Sequence, residues 1–583
     1  MPPTGRYDKR PIVPVGPPSA CTVGWADILE QLRGLRSRSR CVLGVECYPG
    51  VRLDEVLHAL GEGLRPALVV DVRRAYRDPA EIDWICAPFL GDDPVFGRMN
   101  GLSLSDFLDP GRTAALHGRI DATRAGLVLV VGAGATLVAE PDVLVYADLA
   151  RWEIQQRQRR REVASLGVHD QKERPGKLYK RGFFVDWRVA DRQKRTLLGR
   201  IDWLLDTNDP GAPKIVSGDD FRRGLAAAAR RPFRLVPFFD PAPWGGQWMK
   251  EVCDLPREAA NYGWCFDCVP EENSLLLGFG GARVEVPALD LVFRHPRELL
   301  GEAVHARFGD EFPIRFDFLD TMAGGNLSLQ VHPLTEYIQD RFGMHYTQDE
   351  SYYLLDAGEG ACVYLGLRDG VDGEAMVRDL RRAREGGFSF PAELYVNRRP
   401  ARKHDHFLIP GGTVHCSGKD SMVLEISSTP YLFTFKLWDW GRMGLDGRPR
   451  PVHLDHGVAN IQWDREAAWV ERELVNRVEL VGAGEGWREE RTGLHEREFI
   501  ETRRHWFSSA TPHDTGGGVN VLNLVEGEEA VVESPDDAFE PLVVHYAETF
   551  VVPGAVGLYT IRPHGPSEGV ECATIQASVR TRP

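Results

Sequence analysis

Cysteine is scarce in this chain: ten in 583 residues, without the dense regular spacing of a secreted disulfide scaffold. Reduced thiols in a cytoplasmic protein are therefore the expectation. Long apolar runs are missing too. The most apolar stretch, "AGLVLVVGAGATLVA" (Ala125 to Ala139), falls short of the ~20 residues that span a bilayer and is broken by glycine, so it reads as a buried strand and no membrane is expected. The amino-terminal "MPPTGRYDKRPIVPVGPPSA" has no apolar core of the signal-peptide kind and reads as a loose, proline-rich arm. Nor is positive charge in excess. A net charge of −15 argues against a general nucleic-acid binder. What is present, 43% hydrophobic and 27% charged residues, is the composition of a globular protein long enough for two to four domains.

From Ser39 to about Asn208, apolar runs such as "CVLGVECYPGV", "PALVVDV" and "GLVLVV" alternate with helical patterns, which predicts a parallel α/β layer. After about Pro232, short alternating runs separated by Gly, Pro and Asp dominate, among them "SYYLLDA", "ACVYLGL" and "SMVLEISS". That is the texture of an antiparallel sandwich or barrel. The expected organisation is an arm and lead-in over 1–38, an α/β domain over 39–232, a β domain over 233–480 and a second β domain over 481–583. The last shares the texture of the third but lacks its histidine pattern.

"NLSLQVHP" (Asn326 to Pro333) sets Gln330 and His332 two residues apart, and in a strand residues i and i+2 face the same way. Alone, such a pair is an ordinary strand surface. Glu350 in "YTQDESYYLLDA" and His415 after the Gly-Gly turn of "LIPGGTVHCSG" complete two imidazoles, one carboxylate and one amide, a set suited to zinc or another divalent ion with one position open.

Residues 233–583 resemble the type I mannose-6-phosphate isomerases, metal-dependent cupins (jelly rolls). The resemblance is carried by "PAPWGGQWMKEV", "FPIRFDFLDTMAGGNLSLQVHP", "DESYYLLDA", "IPGGTVHCSG" and "WDWGRMGLDGRPRPVHL", in that order and spacing. It implies Gln330, His332, Glu350 and His415 as metal ligands, Zn2+ as first choice with Mn2+, Co2+ or Fe2+ fitting the same donors, and the interconversion of mannose 6-phosphate and fructose 6-phosphate through an enediol. Ser328 matches a family serine that helps bind phosphate; a buried strand hydroxyl is the plainer reading. Two positions depart from the family. Gln348 stands where many members have a lysine, and Lys436 where the family has an arginine. A lysine lacks the planar fork that grips phosphate. Lys436 is expected to hold the phosphate or the developing enediolate, with an ion pair to Asp439 or Asp349 as the plainer alternative. Asp349 or a metal-bound water is expected to move the proton. His453 matches a family histidine read as structural. His404 and His406 read as a solvated turn, and Cys265 and Cys268 as buried free thiols.

The amino-terminal third faintly resembles uridine-kinase-like P-loop proteins in order and texture. "GVECYPGV" keeps Gly44 and Gly50 but has neither the lysine nor the following hydroxyl of G-x-x-x-x-G-K-[ST], so phosphoryl transfer by the usual route is not expected. Residues 151–200 carry fifteen Lys and Arg against six Asp and Glu. Arg151, Arg188 and Arg192 are candidates to hold a nucleotide or sugar phosphate, since guanidinium forks match phosphate oxygens; a solvated helix face is the alternative. Three further readings of function stay open: an isomerase of another, unphosphorylated sugar, a non-catalytic sugar-phosphate or nucleotide sensor, and a bifunctional kinase and isomerase.

Overall fold

The computed structural model describes residues 6–16, 21–429, 431–443, 450–493 and 495–581; parts of the proline-rich arm and of the Trp438 to Leu454 motif lie outside them. The chain is multidomain and mostly β, and it divides into two compact units. One comprises Ile12–Ala228 and Glu272–His295, the other Met1–Pro11, Ala229–Glu271 and Pro296–Pro583. Among the described residues no helix is long and apolar enough to cross a membrane.

In the first unit five strands run parallel: β1 (Arg40–Cys47), β2 (Leu68–Asp71), β3 (Gly126–Gly132), β4 (Val143–Asp148) and β5 (Trp203–Asp206). They lie in the order β2-β3-β1-β4-β5, and Lys214–Ser217 and Cys21–Val23 extend the sheet antiparallel beyond β5. The central strands are buried along nearly their whole length, as their unbroken Val and Leu runs require. Helix α1 (Leu53–Leu64) follows β1 and buries Val56, Leu60 and Leu64 at four-residue spacing, the stripe of an amphipathic helix. The hairpin Ser274–Phe279 with Ala282–Pro287 belongs to this unit as well, pairing parallel with Ile12–Pro14. Sequence texture placed that segment with the β domain beginning at 233. Periodicity identifies a strand, but it does not say which sheet the strand joins.

A buried cation ties this unit together. Lys194 lies 2.5 Å from Asp148 Oδ2 and also contacts Asp290, and all three side chains are at most 1% exposed. Burial would lower the lysine, but Asp148 and Asp290 together hold it above its ordinary value. Lys194→Met would leave two carboxylates desolvated without their cation. The expected loss is about 3–5 kcal/mol, read as a lower urea midpoint for the unit's unfolding.

The second unit holds two sandwiches. In the first, a six-stranded sheet (His406–Ile409, Glu350–Ala357, Ser421–Ser427, Arg315–Asp320, Trp264–Cys268, Phe238–Asp240) faces a five-stranded one (Val396–Pro400, Cys362–Leu367, His415–Ser417, Leu329–Val331, Phe435–Trp438). The second pairs a six-stranded sheet, with Trp487–Gly493, Ile500–Phe507 and Cys572–Val579 at its centre, with a four-stranded sheet that includes Thr511–Asp514 and Leu558–Pro563. Phe507, Leu522, Leu524, Val532, Phe550 and Tyr559 form its core. His505 and His513 face each other inside this sandwich, so it is not free of inward histidines.

Two smaller expectations also meet the structure here. Cys265 and Cys268 are buried and unpaired. His406 is not in a solvated turn: its strand is buried on both faces, and burial pushes its imidazole down to about 3.

Candidate metal centre

Strand pairing brings the four donors together from distant parts of the chain. Gln330 sits opposite His415 on one neighbouring strand and opposite Lys436 on the other. Glu350 opens Glu350–Ala357 in the facing sheet. The Gly411-Gly412 turn delivers His415, and it has no room for side chains. A Cβ at Gly411 would stand 2.6 Å from the Pro333 carbonyl oxygen, and Gly412, at φ +89°, would meet Gln462 Cγ at 2.7 Å. The turn is also bonded to the other donors' strands: Gly411 N–H donates to Asp349 Oδ1 (2.8 Å) and Gly412 N–H to the His332 carbonyl (2.9 Å). Gly412→Ala is expected to weaken metal affinity by about tenfold, the effect of misplacing a ligand's support, measured by competition with a chromogenic chelator.

His332 Nε2 lies 3.0 Å from Glu350 Oε2, and His415 Nε2 lies 2.8 Å from Glu350 Oε1. The Gln330 amide is 3.2 Å from His415 Nε2 and can present its oxygen by an amide flip. Each imidazole donates its other N–H to a backbone carbonyl, His332 Nδ1 to Phe433 (2.9 Å) and His415 Nδ1 to Thr413 (2.8 Å). Both Nε2 lone pairs are thereby turned inward, the arrangement that orients metal-bound histidines. The His332, Glu350 and His415 donor atoms lie within 4.8 Å of one another, all buried. His332 Nε2 and Glu350 Oε1 make no hydrogen bond. Burial opposes the Glu350 charge, yet His332 and His415 hold it well below the usual carboxylate range. Buried lone pairs and an anionic carboxylate converging on one point fit a divalent cation.

Other expected site residues divide between this pocket and its supports. Gln348 donates to Glu350 Oε2 (3.2 Å) and accepts from Phe433 N–H (2.9 Å), bracing the carboxylate. Ser328 donates to Asp439 Oδ1 (2.8 Å), which Arg442 contacts at 2.8 Å, while Arg450 reaches Oδ2 at 3.0 Å. Arg384, Asp439, Arg442 and Arg450 line a cavity of ≈ 390 Å³. Lys436 makes no ion pair with Asp439 or Asp349 among the described residues. Burial, then Arg450, push its amine down to about 8. Asp349, one residue before Glu350, accepts from Gly411 N–H and borders, with Glu350, Ser428 and Glu498, a small crevice. Its carboxylate supports the turn that delivers His415. His453 donates its backbone N–H to the Lys436 carbonyl (2.8 Å), consistent with the structural reading.

Sequence reading missed Glu425. It lies across from Tyr352 and Asp317, accepts from Ser427 Oγ (3.0 Å), and is raised well above the usual range by burial and then by Glu350. A carboxylate in "SMVLEIS", a strand buried at every position, was the available signal.

In the α/β unit the three arginines assigned to phosphate are engaged internally. Arg151, 2% exposed, lies 2.5 Å from Asp191 Oδ2, and Arg188 is 3.5 Å from the same atom. Arg192 donates to the Leu102 carbonyl and to Asn100. The structure does not bring the three to one cavity. A separate cavity of ≈ 560 Å³ lies beyond β1 and β2, lined by Arg52, Arg73, Arg112 and their carboxylate partners.

A family described as a domain of unknown function (DUF8485) matches residues 24–230. The mannose-6-phosphate isomerase of Streptococcus mutans serotype c is 27% identical over 247 residues, 41% of this chain and 72% of that one. Mannose-6-phosphate isomerase ManA of Bacillus subtilis is 25% identical over 237 residues, 40% of this chain and 68% of that one. Among solved structures, the mannose 6-phosphate isomerase from Bacillus subtilis covers 60% of this chain and 99% of its own at 18% identity, with a TM-score of 0.49. A putative mannosephosphate isomerase from Archaeoglobus fulgidus covers 60% and 98% at 17% identity, with a TM-score of 0.46. Over about two fifths of its length the chain is thus similar in sequence to mannose-6-phosphate isomerases.

Proposed function

We propose that this protein is a metal-dependent aldose–ketose isomerase that interconverts mannose 6-phosphate and fructose 6-phosphate. The observation that carries the reading is the convergence of Gln330, His332, Glu350 and His415 inside one sandwich, with a half-buried lysine, Lys436, on the strand next to Gln330. Those four side chains would hold the ion, zinc by preference among divalent cations that accept mixed nitrogen and oxygen donors. When bound, the ion supplies Lewis-acid stabilisation of negative charge on the sugar's C1 and C2 oxygens.

The chain's own groups account for the remaining tasks. Lys436 offers a cation whose charge is poorly hydrated, close enough to Gln330 to face the same substrate oxygens. Its ammonium stabilises charge that develops as the C2 proton leaves. Glu425, kept protonatable by burial, is the inward carboxyl suited to carry a proton between C2 and C1. Arg442 and Arg450 are held side by side on Asp439, whose other partner, Ser328, is two residues from Gln330. That chain of contacts supports reading these guanidinium forks as the partners of a 6-phosphate, and so a phosphorylated sugar over a free one. Asp349 and Gln348 act through the Gly411 turn and Glu350. Arg151 and Arg188, paired with Asp191, and Arg192, bonded to Leu102 and Asn100, take no part.

The test follows purified full-length protein with fructose 6-phosphate, and in parallel with free fructose and mannose, by proton NMR. Mannose 6-phosphate should appear at a rate abolished by chelation and by His415→Ala. Turnover of the free sugars alone would refute the phosphate assignment, and no turnover of any would refute the isomerase.

A further inference from the structure

The carboxy-terminal sandwich contains a second pair of inward imidazoles that the isomerase centre does not use. His505 comes from Ile500–Phe507 and His513 from Thr511–Asp514, strands of opposite sheets. Their ring centroids stand 4.3 Å apart, and His513 lies flat on Tyr559 at 4.9 Å. Both are nearly fully buried, at 4% and 6% exposure. His505 turns Nε2 toward Glu489 Oε1 (3.4 Å), a carboxylate that Arg503 grips at 2.8 Å. Its Nδ1 has no hydrogen-bond partner; His513 Nε2 has none either, nor does Thr574 Oγ1, and Thr574 faces His505 across the strand pair. Gln576 is a hydrogen-bonding neighbour of the His513 ring.

Buried acceptors without donors are uncommon, and each calls for a reason. Two buried imidazoles, each with a nitrogen that makes no hydrogen bond, one of them oriented by a carboxylate on its far side, make the arrangement that presents histidine to a metal. Among the described residues, only the His332, Glu350 and His415 atoms gather three such donors within 4.8 Å, so Glu489 here is the group that orients His505 and not a third ligand. We infer that His505 and His513 form a second divalent-metal site, a two-imidazole site for a nitrogen-preferring ion such as Zn2+ whose remaining positions are open to water or a small oxygen ligand. The two donors, His505 and His513, come from strands of opposite sheets, unlike the Gln, His, Glu, His set of the first centre. The site therefore stands on its own geometry and not on a repeated motif.

Full-length protein equilibrated with micromolar Zn2+ and passed through a desalting column should carry two zinc ions per chain by elemental analysis. His513→Gln and Glu350→Gln should each carry one, and the double variant none. Only His513→Gln should keep the isomerase activity. One ion per chain in the parent protein, or two in His513→Gln, overturns the inference. Should His513→Gln fail to fold, the Glu350→Gln protein still decides it: one zinc supports the second site and none refutes it.

Discussion

Glu350→Gln is expected to remove the metal from the isomerase centre and lower turnover by about 10³-fold or more, the loss that several kcal/mol of Lewis-acid stabilisation implies. The substitution is isosteric and changes one thing. A carboxylate that lies 2.8 Å and 3.0 Å from two imidazoles becomes a neutral amide, so the donor set loses its only negative charge. The fold should survive, because Glu350 without a metal is a desolvated anion, and replacing it removes a buried charge as well as its partners' attraction. Circular dichroism should be unchanged while elemental analysis shows one ion fewer per chain. Full metal content with full activity would show that the cation is held elsewhere and would remove these four residues from the reaction.

The set of four donors is what the family resemblance implies, and only part of it is legible from period. Gln330 and His332 share a strand face because side chains alternate with a period of two, and the Gly411-Gly412 pair announces a turn that side chains cannot enter. Neither rule reaches across the fold. Glu425 and Glu350 meet because two strands pair in one register, and nothing local in "SMVLEIS" says that its carboxylate faces a metal pocket. The same limit explains Asp349. Adjacent to Glu350 in sequence, it accepts from the Gly411 N–H, a bond across the fold that no local pattern shows. It also explains the arginines of the α/β unit: a count of charges shows a basic stretch, but only the fold shows Asp191 between Arg151 and Arg188. His505 and His513 lie eight residues apart on strands of different sheets, a separation from which no periodicity predicts contact.

Lys436→Met should cut turnover by about 10²–10⁴-fold, the range for a positioned charged or proton-transferring group, with metal content intact. The pH dependence separates this role from a structural one. Burial pushes the amine down to about 8, so its charge is present below that pH and lost above it. If the ammonium stabilises the developing enediolate, activity falls as pH rises through about 8, and Lys436→Arg, whose guanidinium stays charged, lacks that limb. Stability must move the opposite way. The unfolded lysine titrates near 10.4, so between about pH 8 and 10.4 the unfolded chain binds more protons than the folded one and stability rises with pH. Lys436→Met removes that slope and, at neutral pH, relieves a half-buried charge that costs about 3 kcal/mol. A variant that is more resistant to urea at pH 7 and at least a hundredfold slower would show a charge retained at a cost to the fold because the reaction needs it. A slower variant with no gain in stability and an unchanged pH profile would mean that Lys436 only fills space beside Gln330.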